Sequence, residues 1–273
     1  MSYDLYFYSK TEAAIAKSDI EAYVNKLPHV AQEADNEWVY NNEDTGVYGT
    51  FMYTEPSKDE QVEEQYFNGF SSTNFMFTIN LLRPHFFGKE CFDVVDQLTT
   101  DLGLYVLNPQ TEEAPKQFAP GELGTDWQTT NDRIAAMQFD EFNLNYLDPV
   151  ISNDLWAFNS NRQSLQKQLG DYYFVPEVFY LAKDREVVTL CVWTEHMAFA
   201  LPKVDYVFIQ RKIKKLFRTK TEEGLISYDD LLSVLGKYFA DETSYKLLHP
   251  EASFKLTSEY NSLPLMTNFS DIG

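Results

Sequence analysis

The sequence predicts an α+β fold: a ferredoxin-like α/β sandwich at the start, then a mixed half with an antiparallel meander and helices. Three observations carry this. Residues 1–108 read strand, helix, two strands, then strand, helix, strand, an order that packs as a sheet with helices on one face. Residues 109–124 collect Pro109, Pro115, Pro120, Gly121 and Gly124 among charges and read as a linker. Beyond them, aromatic and β-branched runs alternate with charged turns between helical stretches. The 273 residues suffice for two such domains, 1–108 and 125–273.

Tyr3–Tyr8 is rich in strand formers and opens the chain as a strand. Ser18-Asp19-Ile20-Glu21 has the capping-box pattern, which starts a helix over 19–27 that Pro28 ends. Glu37–Tyr40 and Val47–Tyr53 flank a turn cluster and form a hairpin. Residues 55–65 are polar and acidic, an exposed loop or short solvated helix. Asn74–Leu82 is a strand. Phe92, Val95, Leu98 and Leu102 put one apolar face on a helix over 88–102, Gly103 closes it, and Leu104–Leu107 is the next strand. A second capping box, Thr125–Gln128, opens a helix to 137, and Ser160–Gly170 is a short helix with a terminal glycine. Tyr172–Leu181 and Val187–Trp193 form a hairpin across Lys183–Glu186, and Met197–Leu201 and Val204–Gln210 add two antiparallel strands. Ser227 caps a helix carrying Leu231, Leu232, Val234, Leu235 and Phe239. Residues 247–273 have no period.

Composition excludes several classes. With 44% hydrophobic and 16% aromatic residues the chain has material for a packed core and is not disordered. The net charge of -20 is concentrated: residues 1–150 hold 26 acidic and 8 basic side chains, residues 151–273 hold 16 and 14. A field of that sign repels phosphates and anionic lipid and steers a basic protein partner. Neither direct nucleic-acid binding nor membrane binding is expected. Cys91 and Cys191 sit in apolar runs and read as buried free thiols. No run nears the roughly 18 apolar residues of a membrane span. The opening segment lacks a basic stretch followed by a long apolar one, so a cytoplasmic location is expected.

Motifs are sparse. A Walker loop, Gly-x-Gly-x-x-Gly, His-Glu-x-x-His, Cys-x-x-Cys and Gly-x-Ser-x-Gly are all missing from the sequence, so no cofactor or metal site is expected. His29, His85, His196 and His249 are well separated; His85 follows Arg83-Pro84 at a strand end. Glu195 and His196 form a conceivable acid–base pair at a turn. With Arg162, Trp156, Asn159 and Asn161 they are the candidates for an alternative reading, a hydrolase-like enzyme with its site in the cleft between the halves. Asp93 and Asp96 share a helix face that points to water. The basic run Arg211–Lys220 reads as an anion patch, a counter-surface to the acidic half, or a solvated helix with Ile213, Leu216 and Phe217 inward.

The richest signal is acidic. Clusters at 33–37, 43–44 and 59–64 are interleaved with Trp38, Tyr40, Tyr48, Tyr53, Tyr66 and Phe67. Aromatic anchors among steering carboxylates suit a surface for a basic partner. The predicted partner-binding set is Asp35, Glu37, Trp38, Glu43, Asp44, Asp59, Glu60, Glu63, Glu64 and Tyr66.

Three stretches bear on the role: Met1–Tyr8, Trp156–Gln166 continuing through Leu169-Gly170 to Phe174-Val175-Pro176, and Leu201–Val207. Together they resemble the immunity proteins, bacterial cytosolic proteins encoded beside secreted polymorphic toxins. That group spans many folds, so the resemblance implies a role and no residues: a non-enzymatic inhibitor of a cognate toxin. A third reading is a structural subunit of a bacterial assembly, its aromatics covering an obligate interface.

Overall fold

A computed structural model describes residues 1–55, 67–110, 112–183, 185–194, 197–215 and 218–266. The fold is α+β, with two compact units, residues 1–144 and 145–273. The expected linker, 109–124, therefore lies inside the first unit. Val106 and Lys116 pair across it, and Asp96 accepts a hydrogen bond from the Gly121 amide (2.7 Å). These contacts hold the Pro/Gly stretch against the unit.

In the first unit, β1 (Ser2–Lys10), α1 (Lys17–Val24), β2 (Val30–Ala34), β3 (Glu37–Asn42), β4 (Val47–Tyr53), β5 (Phe70–Asn80), α2 (His85–Asp101), β6 (Tyr105–Leu107) and α3 (Glu122–Gln138) follow in order. The sheet order is β2-β3-β4-β5-β1-β6, with every pair antiparallel. β4-β5-β1-β6 with the α1 and α2 crossovers has the βαββαβ order of a ferredoxin-like sandwich. β2 and β3 widen it as a meander beyond β4. Alternate residues turn to one face: Tyr3, Leu5 and Phe7 on β1, Trp38 and Tyr40 on β3, Val47 and Phe51 on β4, and Phe75, Phe77 and Ile79 on β5 are all buried. α2 packs on that face through Phe92, whose ring meets Tyr3 and Phe77 edge-on, both at 6.1 Å. α3 packs on α2, with Trp127 seated on Gly88.

Helix starts depart from the capping-box reading. α1 begins after Ala16 and α3 after Gly121, neither with a side-chain cap, and the Gly121 φ of 83° suits glycine. Thr125 lies inside α3, its hydroxyl donating to the Gly121 carbonyl (2.9 Å). The pattern marked the right helices, but other contacts set their first turns.

The second unit runs α4 (Pro149–Leu169), β7 (Tyr173–Phe174), β8 (Phe179–Lys183), β9 (Glu186–Thr194), β10 (Ala198–Pro202), β11 (Tyr206–Lys215), β12 (Arg218–Ser227), α5 (Tyr228–Leu235), β13 (Phe239–Asp241), β14 (Tyr245–Leu248), α6 (Pro250–Lys255) and α7 (Thr257–Tyr260). α4 starts eleven residues before the expected Ser160, because Asp148 caps it, accepting from the Val150 amide at 2.8 Å, and Pro149 fixes its first turn. The expected meander divides between two sheets, β12-β11-β9-β8 and β13-β14-β10-β7. β10 leaves for the second sheet, so β11 returns beside β9 in parallel rather than antiparallel. Residues 211–215 and 218–220 of the basic run lie on the paired strands β11 and β12, not on a helix, and Leu216 and Phe217 lie outside the described residues. Ser227 caps α5 as expected, accepting from the Asp230 amide (3.1 Å). Trp193 centres the core, stacked on Phe199 at 5.2 Å and edge-on to Tyr260 at 4.9 Å.

Two helix glycines respond oppositely to a methyl group. A Cβ at Gly88 would stand 2.3 Å from Trp127 Cε3, whereas one at Gly124 meets nothing closer than 3.7 Å. Gly88→Ala is expected to lower stability by about 1–3 kcal/mol through overpacking. Gly124→Ala is expected to raise it by up to ~1 kcal/mol through helix propensity. Urea unfolding of the full chain measures both.

Stability is also expected to fall above pH 10. Burial and the Asp101 carboxylate push the Tyr23 phenol up to about 12, and burial alone does the same for Tyr180. A raised phenol pKa stabilises the fold below the unfolded value near 10, and that contribution is lost as pH rises through 12. Urea midpoints at pH 8, 10 and 12 read the decline, and Tyr23→Phe makes it shallower.

Candidate functional site

The alternation that buries one face of the first-unit sheet exposes the other. Cross-strand pairing sets rows on that open face. One row is Tyr6, Met76, Met52 and Glu37; the next is Asp4, Thr78, Thr50, Val39 and Ala31. Tyr6 is 39% and Met52 37% exposed, two large apolar side chains in one row that ends on the Glu37 carboxylate. Asp4 accepts from Thr78 Oγ1 at 2.6 Å and from Ser2 Oγ at 3.0 Å, which fixes its carboxylate on the same face.

The predicted partner-binding residues are distributed differently from the expected single patch. Asp35 is exposed in the β2–β3 turn and Glu37 flanks the open-face row. Glu43 and Asp44 lie in the β3–β4 turn at the other end of that hairpin, about 20 Å away by strand rise. Trp38 is a correction: it is core, 1% exposed, with Nε1 donating to Asn25 Oδ1 at 3.0 Å. An even spacing from Tyr40 put both rings on the buried face, so neither is a surface anchor. Asp59, Glu60, Glu63, Glu64 and Tyr66 lie outside the described residues. Lys17 ties the β2–β3 turn to α1, bonding Asn36 Oδ1 at 2.7 Å, pairing with Glu55 at 3.3 Å and lying over the Tyr53 ring.

The β3–β4 turn is organised by Glu90 of α2. Its Oε1 accepts from Tyr40 and Asn42 at 2.7 Å each and from Thr45 at 3.0 Å. Burial, then the Glu90 carboxylate, drives the Tyr40 phenol far above its ordinary value, so it stays a donor. Of the paired aspartates, Asp93 is exposed as expected, but Asp96 bonds the start of α3. Cys91 and Cys191 are buried and free.

Several enzyme candidates have structural duties. Asn159 is buried and clamps the Val178 backbone, donating to its carbonyl (3.1 Å) and accepting from its amide (2.9 Å). Asn161 donates to the Ala157 carbonyl within α4. Glu195 and His196 lie outside the described residues. Among the described residues no group of His, Cys, Asp and Glu could hold a metal ion, and no helix is long and apolar enough to cross a membrane.

One polar constellation escaped the sequence. Tyr48 Oη accepts from Arg83 (2.7 Å) and from Asn80 (3.2 Å), and the Arg83 hydrogen bond holds the phenol below its ordinary pKa. Asn131, buried on α3, accepts from the amides of Leu82 (2.7 Å) and Arg83 (3.2 Å) and donates to the Arg83 carbonyl (2.9 Å). Leu82 is held at φ 61° there, a left-handed conformation rare for a branched side chain. His85 Nε2 meets Asp132 at 2.6 Å. The sequence offered Arg83-Pro84-His85 as a strand end, but its partners stand 35 residues back at Tyr48 and 47 to 48 residues on at Asp132 and Asn131, where no local pattern points to them.

No protein-family model, curated protein or solved structure matches the chain.

The basic run also has a structural member. Arg211 is 6% exposed; its Nε donates to Glu222 at 2.8 Å, and its other nitrogens reach the carbonyls of Tyr260 (2.7 Å) and Leu263 (3.0 Å). Arg211→Ala is expected to destabilise the chain by roughly 3 kcal/mol, because it leaves those acceptors without a donor. Denaturant unfolding checks it, with Lys212→Ala as the control that changes little.

Proposed function

We propose that the protein is a binding module for a basic protein partner, an inhibitor of a toxin domain in the manner of the immunity proteins it resembles. The observation that carries this reading is the uncompensated charge of the first half, 26 acidic against 8 basic side chains in residues 1–150. Three of the eight cations there are held by groups of the chain itself. Lys17 and Lys116 pair with glutamates, and Lys10 lies over the Phe70 and Tyr105 rings. The remaining field attracts a cationic surface and speeds encounter.

The contact itself is assigned to the open face of the first-unit sheet. Tyr6 and Met52 supply apolar anchors, and Glu37, Asp35 and Asp4 supply the acidic surround. This replaces Trp38 as the anchor and keeps the steering role of the acidic clusters.

The test is affinity capture with the tagged chain at low and high salt, comparing three forms. The wild type is expected to retain one basic protein in equimolar amount, weakened by salt. Tyr6→Ala with Met52→Ala is expected to weaken the complex about thirtyfold or more, the loss of a hot spot. Neutralising Asp35, Glu37, Asp59, Glu60, Glu63 and Glu64 to amides is expected to slow association about tenfold and flatten its salt dependence. A partner held equally by all three forms would remove this surface, and no stoichiometric partner at either salt would remove the role.

A further inference from the structure

We propose that Arg83 and Tyr48 form a receptor for a single small oxyanion, a carboxylate or a phosphate, at the end of the open sheet face. It rests on geometry independent of the basic-partner reading. Arg83 is half-buried, and among the described residues it forms no ion pair, although the chain carries 42 acidic side chains. Its contacts are the Tyr48 oxygen, its neighbour's carbonyl (Leu82, 3.4 Å) and the ring faces of Tyr48 and Phe87 at 5.8 and 5.9 Å. A guanidinium has five N–H donors, so most of the fork is left for an external acceptor.

The donors are held in place from behind. Asn131 fixes the backbone at Leu82 and Arg83 through three hydrogen bonds, and the left-handed Leu82 turns the chain so that Arg83 reaches Tyr48. Backbone held in a sparsely populated conformation is commonest at ligand and active sites. Tyr48 accepts twice, from Arg83 and Asn80, and donates to no described residue, which leaves its O–H beside the fork for an external acceptor. The first turn of α2, which starts two residues after Arg83, carries no acidic side chain. A planar fork with an adjacent, acidified O–H is matched to an oxyanion that accepts through two oxygens.

In so acidic a molecule diffuse anion binding is disfavoured, so a saturable anion effect is diagnostic. The test is an NMR titration of the isotopically labelled full chain with sodium acetate and, separately, inorganic phosphate, with sodium chloride at equal ionic strength as control. The Arg83 Nε–H and Tyr48 ring signals are expected to move together along one saturable isotherm, with a dissociation constant on the order of millimolar. Tyr48→Phe is expected to weaken binding about tenfold, and Arg83→Gln to abolish saturation. Saturation at lower acetate than phosphate assigns a carboxylate ligand; the reverse assigns a phosphate. Should Arg83→Gln disturb the fold, Tyr48→Phe, which keeps the guanidinium, decides the matter. A linear drift matched by chloride, or saturation of equal strength in the Tyr48→Phe chain, overturns the proposal.

Discussion

The first unit depends on the alternation of its central strand. Tyr3, Leu5 and Phe7 are wholly buried, so Asp4, Tyr6 and Tyr8 must turn the other way. β5 and β6 pair on either side of β1, and the registers of β4, β3 and β2 follow outward from β5. A slip of one residue would put Asp4 in the core and Leu5 in water, which the buried aromatics forbid. The open face, and therefore every candidate contact on it, is a consequence of what the other face must hide. The irregularity in the β1–β5 ladder is handled locally: opposite Phe7, β5 bulges, and Thr73 Oγ1 donates to the Phe7 carbonyl at 2.8 Å.

Charge acts on a different scale from packing. In the first unit two carboxylates of α2 do structural work: Glu90 gathers three donors of the β3–β4 hairpin, and Asp96 holds the entry to α3. The excess of 26 acidic over 8 basic side chains in residues 1–150 sets a field. Within that field Arg83 is a cation braced by hydrogen bonds rather than by a carboxylate. Surface ion pairs contribute little to stability, so the imbalance is tolerated by the fold and available to function. In the second unit the reverse holds at Arg211, where a cation from a basic run is drawn inside and fastens the chain near Tyr260 and Leu263 to the β11–β12 hairpin.

Much of the fold was legible, for definite reasons. The β3–β4 hairpin, α2 and α5 announce themselves through local signals: a turn cluster between strand formers, an apolar stripe at helical spacing, and a serine cap. α4 was seen only in its second half, since the Ser-Asn-Arg segment resembles a start while the true cap, Asp148 before Pro149, stands twelve residues before Ser160. The 109–124 stretch has linker composition, yet its bonds to Val106 and Asp96 make it part of the unit. The meander failed at β10, because strand-forming sequence carries no label for which sheet it will join.

By itself, the sequence determined the α+β class, the buried thiols and the acidic bias of the first half, all of which follow from composition or short-range patterns. Only the tertiary structure decided where units divide, that β11 runs parallel to β9, that Trp38 is core while Tyr6 and Met52 are surface, and that Tyr48, Arg83 and Asn131 meet. These facts depend on contacts between residues tens of positions apart. Nothing in a local pattern encodes such a contact, because it exists only once the intervening chain has packed.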